Sequence, residues 1–153
     1  MKERGEGEVR HTLEIIMSAP STLKVASAQY PIGEPKSLAD WEGKIALWVK
    51  TGAATGAQLL VFPEYAAIEQ AAAFGPGVYS DLKATLTKVA ELAASRVALH
   101  AELAKKHHVH MLGGSGPVLK SDGRFVNAAQ LVTHEGAIGE QENLILWFQF
   151  RDI

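Results

Sequence analysis

The residue with the clearest chemical potential is a carboxylate at the end of an apolar run. Leu59, Leu60, Val61 and Phe62 are followed by Pro63, and Pro63 by Glu64. The run is too short for a helix and shows no polar alternation, which predicts a strand buried on both faces over residues 58–62. Proline has no N–H to give to a sheet, so Pro63 ends the ladder. Glu64 then stands at the carboxyl end of a buried strand, where open α/β sheets collect ligands. A carboxylate there suits general acid or base work. The spacing alone also fits a solvated loop acid, since glutamate is usually exposed.

Other chemistry-bearing groups are weaker. His107, His108 and His110 cluster, and His108 with His110 would share one strand face. Two imidazoles can begin a metal site, but no third ligand lies nearby in sequence, so no metal is expected. Histidines at a helix end also suit the helix dipole. "GPGVYS" and "GGSGP" are glycine-rich but lack the strand, loop and helix order, and the lysine, of a phosphate cradle. Ser27, Ser115 and Ser121 sit in no nucleophile-elbow motif and read as structural.

Those groups need a frame. "LKVASAQY", residues 23–30, alternates and predicts a first strand. Leu38, Trp41, Ile45, Trp48 and Val49 recur at helical spacing, with Ser37 as cap and Asp40 in the first turn. "TGAATGA" ends that helix ahead of the strand at 58–62. The order is that of a parallel βαβ unit. An alanine-rich short helix and a loop broken by Gly75-Pro76-Gly77 come next. Ser80 or Asp81 then opens one long helix over 81–107, with Leu82, Leu86, Val89, Ala93, Val97 and Ala101 on its stripe. "HVHMLGGS" predicts a buried strand. Turns at Ser121-Asp122-Gly123 and His134-Glu135-Gly136 predict antiparallel hairpins.

Composition narrows the classes of function. The chain has 153 residues, 47% hydrophobic and 21% charged, as in ordinary globular domains. A net charge of −2 without a long basic block gives no footing for nucleic acid. No apolar stretch is long enough to span a membrane, and the cytoplasm is the default expectation. No cysteine is present, so this chain itself offers no disulfide, thiolate ligand or thiol nucleophile. Residues 1–21 are polar and without clear period, and read as an extension outside the fold. Residues 22–153 form the domain.

The order "LKVASAQ", helix, "GAQLLVFPE", long helix, "HVHMLGGS" and "FVNAAQLVTHEGAIGEQENL" resembles the nitrilase (carbon–nitrogen hydrolase) superfamily from about Leu23 to Leu146. The resemblance implies an α/β fold, the N-terminal part of an α-β-β-α sandwich. It implies hydrolysis of non-peptide C–N bonds in a small amide or nitrile, without a cofactor, by a Glu, a Lys and a Cys. The thiolate attacks carbon, the Glu takes the thiol proton and later activates water, and the Lys steadies the developing charge. Glu64 matches the family's Glu as general base. Tyr65 and Asn127 are lesser candidates for lining the substrate site.

The chain departs from the family pattern at the other positions. Where the family has "G-x-Q-x-K-x-x-L", this sequence has "GEQENLIL", with Asn143 in place of the catalytic Lys. The register of a second family glutamate falls near Phe150, and the family's Cys has no counterpart here. The implied expectation is an inactive chain when alone. The alternative is a non-catalytic interaction module or truncated fragment that pairs with a full-length relative. The family's habit of association implies a homo-oligomer or dependence on a partner.

Overall fold

The computed structural model describes residues 22–142. The polar N-terminal extension and Asn143 lie outside the described residues. Element order is β1 (Val25–Ser27), α1 (Leu38–Ala54), β2 (Leu59–Val61), a 3₁₀ helix (Ala66–Phe74), α2 (Pro76–Tyr79), α3 (Leu82–Glu91), α4 (Ala93–His107), β3 (His110–Leu119), β4 (Phe125–Val132) and β5 (Ile138–Glu142). The strands form one sheet in sequence order. β1, β2 and β3 run parallel, and β4 and β5 add antiparallel hairpins. Among the described residues, no helix is long and apolar enough to cross a membrane.

The first helix forms where its cap and stripe predict. Ser37 Oγ accepts the Asp40 N–H at 3.1 Å, and the Asp40 carboxylate accepts the Lys36 N–H at 3.2 Å. This reciprocal cap satisfies donors that the helix start leaves open. Trp41, Ile45 and Val49 are buried along one stripe. They meet Leu60, Met111 and Val132, which stand in register on one face of the sheet, together with Leu103 and Ala104 of α4.

Expectations about β2 and β1 change. It is buried on one face only: Leu60 and Phe62 are core residues, while Leu59 and Val61 are half-buried. The helices cover the first pair, and the described residues cover the second only in part. β1 is also shorter than the alternation suggests, because Tyr30 turns inward against Trp48 and Phe62, each ring centroid 5.6 Å away.

The long helix predicted over 81–107 is two helices that meet at Leu92. Asp81 caps the first by accepting the Ala84 N–H at 2.6 Å. Leu86 and Val89 are buried as expected, but Leu82 is exposed. Past Leu92 the phase is reset, and the buried face becomes Arg96, His100, Leu103 and Ala104. Arg96 tolerates burial because its Nη1 donates to Gln70 Oε1 at 2.7 Å and to the Val89 carbonyl at 3.1 Å. That carbonyl belongs to the last turn of α3, where acceptors lack helical partners. Burial draws the guanidinium down to about 10, so it stays charged at neutral pH.

Candidate active site

The site begins where β2 ends. The Phe62 N–H makes a ladder bond to the Leu112 carbonyl at 2.9 Å. Pro63 cannot continue the ladder, and the chain leaves the sheet. Tyr65 follows in the left-handed region with φ 57°, a conformation that costs a non-glycine residue of order 1 kcal/mol or more. Its N–H is held by Ser115 Oγ of β3 at 3.0 Å. The 3₁₀ helix then starts, with the Ala66 N–H on the Pro63 carbonyl.

The glycines of "GGSGP" make this turn fit against β3. The strand carries an irregularity between Leu112 and Ser115. Gly114 has φ +79°, and a Cβ there would lie 2.5 Å from the Pro63 carbonyl oxygen and 2.8 Å from Ala66 Cβ. A Cβ on Gly116 would lie 2.5 Å from Ala67 Cβ. These glycines therefore serve close backbone approach.

Glu64 projects from that turn and is exposed. Its Oε1 accepts a hydrogen bond from Asn127 Nδ2 at 3.1 Å. Asn127 is buried in β4, opposite Pro117 of β3. The Tyr65 phenol is pushed up, first by burial and then by the Glu64 charge, so the two side chains share one electrostatic environment. The structure thus brings together Glu64, Tyr65 and Asn127. Burial of Glu64, which a strand-end base could have used, is not provided by the described residues. What the arrangement offers is an exposed carboxylate oriented by an amide, a group suited to accept a proton.

Glu69 and Lys44, polar residues near this end of the sheet, were not singled out by sequence reasoning. Ser115 read as structural, and its hydroxyl fixes the Tyr65 backbone. Glu69, on the 3₁₀ helix, is buried and accepts from the Tyr30 hydroxyl, the Gly33 N–H at 2.7 Å and Lys44 Nζ. Lys44 Nζ also lies 4.2 Å from the Tyr30 ring centroid. This cluster pins the loop after β1 to the segment after Glu64. Its only sequence signal is one acid within an alanine-rich run. The Tyr30 phenol is pushed far above its ordinary range by burial, by its bond to Glu69 and by that group's charge.

The histidines also fall differently from the expectation. His107 ends α4, and His108 is its C-cap with φ 52°. β3 starts only at His110, so His108 and His110 do not share a strand face.

Comparison with known proteins gives a consistent picture. The chain is similar in fold to the solved NitN amidase from Neterenkonia sp. AN1, with a TM-score of 0.59 at 19% identity. The match covers 82% of this chain and 46% of the amidase, so the chain spans about half the length of that structure. No curated protein matches the chain significantly. The family model for carbon–nitrogen hydrolases matches residues 24–152, nearly the whole sequence, and the chain belongs to the carbon–nitrogen hydrolase family of the nitrilase superfamily.

Proposed function

We propose that this chain carries the general-base half of a carbon–nitrogen hydrolase site acting on a small amide or nitrile, with Glu64 as the base. The observation that carries the reading is the position of Glu64: on the turn after β2, hydrogen-bonded to Asn127 and beside Tyr65. Tyr65 and Asn127 are proposed to line the substrate site, with Asn127 also orienting the carboxylate. Family membership and the amidase-like fold support the reaction class. The chain has no cysteine, and Asn143 stands at the register of the family's Lys. By itself it is therefore proposed to be inactive. Loss of a charge-stabilising group raises a barrier by roughly 3–4 kcal/mol, and loss of a nucleophile by roughly 8–9 kcal/mol.

A second reading, an interaction module that pairs with a longer relative, is favoured by one observation. Val25 and Leu131 are exposed on the sheet face that also bears the half-buried Leu59, Val61 and Leu112. An apolar sheet face of this kind suits cover by another sheet.

The test is ammonia release from aliphatic amides and nitriles. It is measured for the chain alone and for the chain co-expressed with a family amidase segment that carries the Lys and the Cys. The expected result is silence alone and Glu64-dependent release in the complemented sample. Release by the chain alone that is lost in Glu64→Gln would overturn the proposed inactivity. Complemented activity that survives Glu64→Gln would overturn the role of Glu64.

A further inference from the structure

At the other end of the parallel strands, the fold assembles side chains that are far apart in sequence. His110 opens β3 beside Leu59, the first residue of β2, whereas Glu64 follows the end of that strand. The turn between β4 and β5 brings His134 and Glu135 to the same place. His134 and His110 stack with ring centroids 4.8 Å apart and planes inclined by 30°. Glu135 reaches both rings, with Oε1 3.0 Å from His134 Nε2 and Oε2 3.9 Å from His110 Nδ1. One ligand atom from each of the three residues lies within 4.8 Å of the others.

His110 Nδ1 supplies an independent observation. It is buried and has no hydrogen-bond partner. A buried imidazole nitrogen without a partner is costly, and few groups satisfy it as fully as a cation. Glu135 Oε2 faces it from beyond hydrogen-bond range, leaving a space between a nitrogen and a carboxylate oxygen.

We propose that His110, His134 and Glu135 form a binding site for a divalent transition metal of the zinc class. Two imidazoles and a carboxylate are a borderline ligand set that suits such ions better than magnesium or calcium, which take oxygen ligands. Ligand bonds of about 2.0–2.2 Å in a tetrahedron set donor atoms roughly 3.3 Å apart. The observed separations straddle that value. The adjustment required falls on His134 and Glu135, whose side chains are 31% and 62% exposed on a turn and so are free to shift. Three protein ligands leave a fourth position for water. His108, whose ring centroid is 5.7 Å from that of His134, borders it.

The consequence is a clasp. The metal would tie the β4–β5 turn to the junction of α4 and β3, just beyond the last pair of the β3–β4 ladder, Met111 and Val132. The inference is independent of the role of Glu64, because the site lies at the opposite end of β2 and β3.

The full chain is titrated with Zn²⁺ against a chromophoric chelator, and with Co²⁺ followed by its visible absorption. A single equivalent is expected, with Co²⁺ bands of tetrahedral intensity and a raised melting temperature. His134→Ala and Glu135→Gln, both on an exposed turn, are expected to weaken binding by about tenfold or more. His107→Ala is expected to retain it. Circular dichroism of each variant confirms that it is folded. No binding by the wild-type chain at tens of micromolar metal overturns the proposal. So does binding that His134→Ala leaves unchanged, or binding that His107→Ala abolishes, which would place the ion at the helix end.

Discussion

The side-chain amide of Asn127 holds the carboxylate of Glu64 at 3.1 Å across 63 positions of sequence. Asn127 is in the middle of an antiparallel hairpin, and Glu64 is on the turn that ends a parallel strand. The two meet because β3 pairs with both neighbours: in parallel with β2 and antiparallel with β4. β3 therefore sets the relation between the acid and its amide. It also fixes the intervening turn, through Ser115 on the Tyr65 N–H. An exposed carboxylate is thereby oriented by groups that are themselves buried.

That relation predicts an asymmetry between its partners. Glu64→Gln keeps an acceptor oxygen for Asn127 and changes an exposed group, so stability should move by no more than about 0.5 kcal/mol. Asn127→Leu loses a hydrogen bond to a charged group but also removes a buried, unpartnered Oδ1, for a net cost of about 1–2 kcal/mol. Urea denaturation of both variants measures the difference. A loss above about 2 kcal/mol in Glu64→Gln would make Glu64 a structural residue.

Two glycines at positive φ, Gly114 of β3 and Gly123 of the β3–β4 turn, give a second contrast. Gly114→Ala places a methyl against the Pro63 carbonyl and Ala66 at a positive φ, so it should cost about 2 kcal/mol or more. Gly123→Ala also has a positive φ, +83°, but meets nothing within 4 Å. It should cost only about 1 kcal/mol, the backbone penalty alone. Equal losses in the two variants would show that crowding at the Pro63 turn is not what Gly114 relieves.

Acid sensitivity should arise at His100. Burial, and then the Arg96 charge, push its imidazole down to about 4 from 6.5. Between those values the unfolded chain binds a proton that the folded chain does not. Stability therefore falls as pH drops from about 6.5 and levels off below about 4, with a loss of at most about 3 kcal/mol. His100→Gln should flatten that part of the stability curve, whatever it does to stability at pH 8. An unchanged slope would assign the acid sensitivity to other groups.

Much of this arrangement was legible because its causes are local. Ser37 and Asp40 announce the start of α1, and Gly123 and Gly136 sit in the two hairpin turns at positive φ, as the turn chemistry requires. The run before Pro63 placed Glu64 at a strand end. The remainder depended on partners remote in sequence. Arg96 and His100 look like solvated residues until Gln70 and the Val89 carbonyl are brought to Arg96. The break at Leu92 is hidden because each side continues a plausible helical stripe. "GGSG" could be denied a phosphate-binding role, but its purpose is set by contact with Pro63, Ala66 and Ala67. His134 could not be joined to His110 before the strand register was known.

The sheet face that carries Val25, Leu59, Val61, Leu112 and Leu131 yields the last prediction. Register places Val25 beside Leu59, Val61 beside Leu112, and Leu112 beside Leu131. Leu60, Met111 and Val132 point to the other face and are sealed by helices. Among the residues of the uncovered face, exposure is greatest at Val25, 49%, and Leu131, 40%. Each large apolar side chain left wet forgoes roughly 1.5–3 kcal/mol of burial, against a typical total stability of about 5–15 kcal/mol. Cover by a second copy or a longer relative would recover part of that. The 153-residue chain should therefore bind an apolar-surface dye as a monomer, or scatter light as an oligomer with little dye bound. Leu131→Lys should shift the oligomer toward monomer, because a charge on that face opposes its burial. A wild-type monomer that binds no dye and melts in one sharp cooperative step would show that the face needs no cover.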